Sequence, residues 1–114
     1  SLHDALPIYR DQIIIDPGFG FGKTHEDNIE LLGRLAAFKT LKLPLLIGLS
    51  RKSMLGLITG KSTERRLAAG ISAAVIGLMQ GVNIVRTHDV AETIDALKVY
   101  LAVKNNELKF DLST

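Results

Sequence analysis

Ile13-Ile14-Ile15-Asp16-Pro17-Gly18-Phe19-Gly20-Phe21-Gly22-Lys23-Thr24 is the stretch on which the fold turns. Three β-branched residues lie between Gln12 and Pro17. An uninterrupted apolar run of this length predicts a strand covered on both faces, as in a parallel sheet. Asp16 then falls at the C-terminal end of that strand, where α/β folds collect their chemistry. The following loop has glycine at every second position. It is not the nucleotide-binding P-loop, because that motif needs glycine five residues before its Gly-Lys pair and Pro17 stands there. The strict alternation also departs from the dinucleotide fingerprint. What it provides is backbone freedom, with Phe19 and Phe21 projecting from the loop. A carboxylate beside an aromatic wall suits a flat, hydrogen-bonding heterocycle. An ordinary strand-to-helix turn with a capping carboxylate accounts for the same residues.

Downstream, the pattern repeats. Thr24 and Asp27 have the spacing of a capping box. Ile29, Leu32, Leu35 and Ala36 fall on one face of the predicted helix, and Phe38 and Leu41 extend it. Leu43 to Leu49 reads as a second strand, with Pro44 near its start. It ends in Gly48-Leu49-Ser50-Arg51-Lys52-Ser53. Gly48 permits close approach to the backbone. Two cations and two hydroxyls then stand where a strand gives way to a helix, whose free N–H groups and dipole favour an anion. Met54 to Ile58 predicts a short helical turn closed by Gly60. A longer helix is expected from Ser62 as N-cap, with Leu67, Ile71, Ala74, Val75 and Leu78 as its stripe. Gly70 and Gly77 would allow close packing, Met79 reads as core filler, and Gly81 as the residue that stops the helix.

Val82 to Thr87 reads as the third strand, followed by His88 and Asp89. Arg86 and His88 share one side of an extended segment and predict a second anion site. Asp89, paired with Glu92, is assigned to helix initiation. Val90, Ile94, Leu97 and Leu101 stripe the last helix, which is expected to end at Asn105-Asn106.

Composition narrows the class. The chain has 114 residues, a formal net charge of +2 with the signs interspersed, and no cysteine. One small domain is expected, with no nucleic-acid stripe, no disulfide frame, no thiolate zinc site and no thiol nucleophile. No apolar run reaches membrane length. A cytoplasmic location fits this composition. Residues 1–8, SLHDALPI, lack periodicity. They are what TCC CTA CAC GAC GCT CTT CCG ATC would encode, a string familiar from sequencing adapters. The native domain is expected to fill 10–114, with 1–9 foreign to it.

Strand, helix, strand, helix, strand, helix, with polar residues after every strand, is a succession of parallel βα units. Three strands cannot close a barrel, so the α/β fold expected here is a fragment of a (β/α)8 barrel. Three motifs in register carry a specific resemblance: Asp16-Pro-Gly-Phe-Gly-Phe-Gly-Lys23, Ser50-Arg-Lys-Ser53 and Arg86-Thr-His-Asp89. Together they resemble the C-terminal part of dihydropteroate synthase, over roughly Ile13 to Lys104. The resemblance implies the last three βα units of that barrel. It also implies the condensation of 6-hydroxymethyl-7,8-dihydropterin diphosphate with 4-aminobenzoate to give 7,8-dihydropteroate.

In that family, Asp16 and Lys52 correspond to the catalytic residues. Asp16, Phe21, Gly48, Lys52 and Arg86 correspond to the pterin site. Phe19, Phe21, Ser50, Arg51, Lys52 and Ser53 correspond to the aminobenzoate site, and Arg86 and His88 to the diphosphate site. No metal ligand is expected in this chain. The Mg²⁺ that the family uses would be held by an N-terminal part, so the chain alone is expected to be inactive. Small-molecule substrates and a homodimer of the full-length protein are the implied partners. Competing readings are a related pterin-binding methyltransferase, a nucleotide-binding enzyme, which Pro17 argues against, and an inert or interaction-only remnant.

Overall fold

The computed structural model describes residues 7–20 and 22–111. The architecture is α/β. Helices α1 (His25–Gly33), α2 (Ser53–Thr59), α3 (Leu67–Met79) and α4 (Val90–Asp111) alternate with short parallel strands β1 (Leu46–Ile47) and β2 (Ile84–Val85). Leu46 pairs with Ile84 and Ile47 with Val85. On the other side of β1, Ile15 forms a parallel bridge with Leu45. The Ile15 N–H donates to the Pro44 carbonyl at 2.9 Å, and the Leu46 N–H donates to the Ile15 carbonyl at 2.8 Å. Three parallel segments therefore lie side by side in chain order, each followed by a helix. That is the predicted βα succession.

The strands are shorter than predicted. Ile13 and Ile14 are exposed, and only Ile15 is half-buried. Only Ile15 reaches a neighbouring strand, so the pattern of a doubly covered strand is not realised around it. Ile84 is likewise exposed at the other edge. Leu43 and Pro44 precede β1 rather than joining it.

The core gathers under β1. Phe19, Leu35, Leu45, Ile47, Leu49, Met54, Leu55, Ala73 and Val82 form one buried cluster. At Gly77 of α3 a Cβ would run into the Ile47 side chain. This is the close helix–strand contact that a small residue permits. A Cβ at Gly70 would meet open space, so only one of the two predicted glycines serves that purpose. The α3 C-terminus closes in a Schellman motif: Val82 N–H donates to the Gly77 carbonyl at 3.1 Å, and Gly81 N–H to that of Leu78 at 3.0 Å. Gly81 has φ +98°, as a left-handed C′ residue requires.

The predicted helix faces hold in part: Leu35, Ala74 and Leu78 are buried and Leu32, Ile71 and Val75 half-buried, while other positions differ. In α1 the buried residue is Asn28, while Ile29 is exposed. The helix stops at Gly33 and gives way to a 3-10 segment, Leu35–Leu41. Ser62 precedes a separate 3-10 turn, Thr63–Arg65, and α3 begins only at Leu67. Met79 is 72 % exposed, not core, because α3 turns Ala73, Ala74, Gly77 and Leu78 inward. Among the described side chains of α4 the buried residue is Thr93, while Val90, Ile94 and Leu101 are exposed. α4 also runs past Asn105-Asn106 to Asp111, through good helix formers. Among the described residues, no helix is long and apolar enough to cross a membrane.

Candidate active-site edge

Three loops meet at the C-terminal ends of the parallel segments. The first is the glycine loop. Gly18 and Gly20 adopt φ +74° and +89°, and Gly22 φ +65°. Asp16 starts the turn by accepting the Gly18 N–H on Oδ1 at 3.0 Å. The buried Asn28 accepts the Gly20 N–H on Oδ1 at 3.0 Å, tying the loop to α1. Thr24 and Asp27 form the predicted capping box. The Asp27 N–H donates to Thr24 Oγ1 at 3.1 Å, and the Thr24 N–H donates to Asp27 Oδ2 at 3.2 Å. Asn28 was not anticipated from the sequence; it stands among His25, Glu26, Asp27 and Glu30 on the same helix, so no pattern sets it apart.

Phe19 differs from expectation. Its ring is not displayed from the loop but 2 % exposed, within the core. The gain from burying an aromatic ring outweighs its display once the glycines let the loop fold inward. Its carbonyl faces the site and accepts a hydrogen bond from Lys52 Nζ at 2.8 Å. Phe21 lies outside the described residues.

The second loop joins β1 to α2. Lys52 is the N-cap residue of α2 and Ser53 its first residue. With Phe19, Gly20, Asn28, Leu49 and Met54 they line a cleft of about 250 Å³. Burial holds the Lys52 ammonium below the usual lysine range, the Arg86 guanidinium adds to this, and Asp16 opposes it. Arg51 adopts φ +59°, a left-handed conformation that non-glycine residues rarely take.

The third loop follows β2. Arg86 lies across Gly48, where an added Cβ would sit 2.7 Å from its Nη2. Its Nη1 stands 3.9 Å from Asp16 Oδ2. With both groups largely exposed, this is a loose pair. Ser50 holds the loop. Its Oγ accepts the His88 N–H at 3.1 Å and lies 2.9 Å from His88 Nδ1. Asp89, expected to serve helix initiation, accepts the Thr93 N–H on its carbonyl at 3.0 Å. Its carboxylate, however, pairs with Arg51 Nη2 at 2.9 Å.

The predicted residues Asp16, Gly48, Lys52, Ser53 and Arg86 therefore share one edge, which carries two cations and one carboxylate. Arg51 and Ser50 are spent on contacts to the third loop. Among the described residues, no three His, Asp or Glu side chains come together to hold a metal.

The chain matches the family described as pterin binding enzyme over residues 3–88. It is 46 % identical to the dihydropteroate synthase of Escherichia coli K12 over 103 residues, which cover 88 % of this chain and 36 % of that protein. The dihydropteroate synthase of Stenotrophomonas maltophilia, solved with imidazole bound in its active site, superposes with TM-score 0.82 at 47 % identity. The match covers 84 % of this chain and 37 % of that one. The Xanthomonas albilineans enzyme in complex with 7,8-dihydropteroate superposes with TM-score 0.79 at 45 % identity, over 82 % of this chain and 37 % of that one. The chain thus spans a little over a third of the length of these relatives. With that match over most of its length, and with Asp16, Lys52 and Arg86 gathered on one sheet edge, the chain belongs to the pterin-binding enzymes.

Proposed function

We propose that the chain is the part of a dihydropteroate synthase that contains the last three βα units of its (β/α)8 barrel and one wall of its active site. The whole enzyme would join 6-hydroxymethyl-7,8-dihydropterin diphosphate to 4-aminobenzoate. The amine nitrogen forms a bond to the pterin methylene carbon, the C–O bond to diphosphate breaks with its electron pair leaving on diphosphate, and the amine loses a proton. The observation that carries this reading is the convergence of Asp16, Lys52 and Arg86 at the ends of three consecutive parallel segments.

Each residue has a role in it. Asp16 accepts hydrogen bonds from the amino-pyrimidine edge of the pterin, which a carboxylate fits as a pure acceptor. Gly48 is the floor, since a side chain there would collide with the Arg86 guanidinium. Arg86 stacks on the pterin face and, with His88, stabilises the departing diphosphate. Lys52 contacts the pterin and borders the aminobenzoate site. Ser53, at the open start of α2, receives the aminobenzoate carboxylate. Phe21 would complete the aromatic wall. Ser50 and Arg51, assigned to the same site from the resemblance, contribute through the loop they hold. Magnesium finds no ligand set among the described residues, and no step is assigned to it in this chain.

Turnover needs groups beyond these, so the 114-residue chain is expected to bind a pterin weakly and to make no dihydropteroate. A pterin fluorescence titration tests the binding, with Asp16→Asn as control. No quenching by the wild-type chain, or equal quenching by Asp16→Asn, refutes the assignment. Measurable synthesis of 7,8-dihydropteroate by the purified chain refutes the stated division of labour. A homodimer is part of the same reading. Exposed Met79, Val99 and Val103 on α3 and α4 offer its surface, and light scattering after size exclusion would report it.

A further inference from the structure

Arg51 is a residue of 40 % side-chain exposure held in a left-handed backbone conformation next to Lys52. Such a conformation carries strain in any residue with a Cβ, and persists where its surroundings over-determine it. The surroundings are unusually specific. From the start of α3, Arg66 Nη1 donates to the Arg51 carbonyl at 2.9 Å. Arg66 Nε donates to the Lys61 carbonyl at 3.0 Å. The Arg66 guanidinium fills the space over Gly56 of α2, where any Cβ would collide with it. From the opposite side, the Asp89 carboxylate holds the Arg51 guanidinium at 2.9 Å. The carbonyl and the side chain of one strained residue are thus gripped by two different elements.

We propose that Arg66 and Asp89 are positioning residues that force Arg51 into its left-handed turn and thereby aim Lys52 at the active-site edge. Neither touches the cleft that Lys52 lines. The turn sets the direction of the chain entering α2. Lys52 is the next residue and reaches 2.8 Å from the Phe19 carbonyl. The peptide plane between Arg51 and Lys52 is held at both ends: its carbonyl accepts from Arg66, and its N–H, in the same planar unit, donates to the Leu49 carbonyl at 3.1 Å. Asp89 adds register between the loop after β1 and the loop after β2. Lys52 is thereby set against Arg86 and His88, across the two halves of the proposed site. The inference rests on the synthase reading for the meaning of Lys52, but not for the geometry itself.

The decisive experiment is a rescue. In the 114-residue chain labelled with ¹³C-lysine, the Lys52 side-chain resonance is assigned with Lys52→Arg and titrated with alkali. Arg66→Gln is expected to move the Lys52 titration upward, towards that of an ordinary solvated lysine. Adding Arg51→Gly should return it, because glycine takes positive φ without restraint. Gly56→Ala, which pushes the Arg66 guanidinium away, should act like Arg66→Gln. An unchanged Lys52 titration in Arg66→Gln, or a failed rescue by Arg51→Gly, overturns the proposal. A loss of thermal stability without a shift at Lys52 marks Arg66 as merely structural and overturns it too.

Should a variant of the isolated chain aggregate, the same substitutions are read in a full-length graft. Residues 10–114 replace the matching segment of the Escherichia coli dihydropteroate synthase. There Asp89→Asn and Arg66→Gln should each raise KM for 4-aminobenzoate about tenfold, the scale of one left-handed penalty, with Arg51→Gly reversing the Arg66 effect. Equal KM values in all grafts overturn the proposal. An inactive graft whose wild-type Lys52 resonance still behaves as expected refutes the synthase reading and leaves the positioning result standing.

Discussion

The loop after Ile15 and the loop after β1 solve the same problem in opposite ways. Each must turn sharply at the end of a parallel segment and present polar groups. The glycine loop turns by positive φ at Gly18, Gly20 and Gly22. Two of its stabilising bonds are local, from Asp16, two residues away from Gly18, and from Asn28, eight residues away from Gly20, and one is distant, from Lys52 to the Phe19 carbonyl, 33 residues away. The β1–α2 loop turns at Arg51, a residue with a Cβ. It is closed locally by the Lys52 N–H donating to the Leu49 carbonyl at 3.1 Å, and held further by Arg66, Asp89 and the Ser50–His88 contacts, which lie 15 to 38 residues away. A turn built of glycine takes positive φ without strain. The turn at Arg51 is built of an ordinary residue, is reinforced by tertiary contacts, and gains a side chain for it.

The largest expected effect would break the first loop. Phe19→Ala removes a ring buried in the core, and should destabilise the fold by about 3–5 kcal/mol in urea unfolding. If the loss is below about 1 kcal/mol, the ring does not anchor the loop. Asn28→Ala should follow, at about 1–3 kcal/mol, because the Gly20 N–H loses its buried acceptor. Hydrogen exchange should quicken at Gly20 more than in α3. Uniform exchange would show that Asn28 supports the whole fold and not the loop.

Gly48→Ala sharpens the comparison at the site. The new methyl meets only the flexible end of Arg86, so stability should change little. Displacing Arg86 should weaken pterin binding about tenfold, or about 1.4 kcal/mol. Equal affinity would remove Gly48 from the site. Thr24→Ala should cost about 1 kcal/mol through the lost capping box.

The smallest effect is a pH dependence. Because the Lys52 pKa is lowered in the folded chain by burial and by Arg86, the unfolded chain holds more protons at Lys52 in the window just below lysine's ordinary value. Stability must therefore rise with pH across that window. The rise should be smaller in Lys52→Met than in wild type, measured as urea midpoints at neutral and alkaline pH. Identical slopes would refute the lowered pKa.

Local patterns were legible where their causes are local. The Thr24–Asp27 box and the helix stops at Gly60 and Gly81 each depend on residues within one turn, and each formed as predicted. So did the order of strands and helices. Helix faces were less legible. An apolar stripe is two-sided where several apolar residues surround the axis, and neighbours choose the side. Asn28 faces inward because the Gly20 N–H awaits it there. Met79 faces outward because β1 accepts only the small Gly77 at the closest contact.

The site divides in the same way. Asp16, Gly48, Lys52, Ser53, Arg86 and His88 could be named from their places after strands and from family resemblance. The burial of Phe19, the grip of Arg66 and the diversion of Arg51 to Asp89 could not. Sequence alone determined that βα units follow one another, that glycines bend the first loop, and that cations and a carboxylate collect at strand ends, since these follow from periodicity, propensity and position. Only tertiary structure decided which ring is buried, which face of each helix is inside, and which arginine clamps which carbonyl. Those choices depend on contacts between residues far apart in sequence, where packing and hydrogen-bond satisfaction act on all the elements at once.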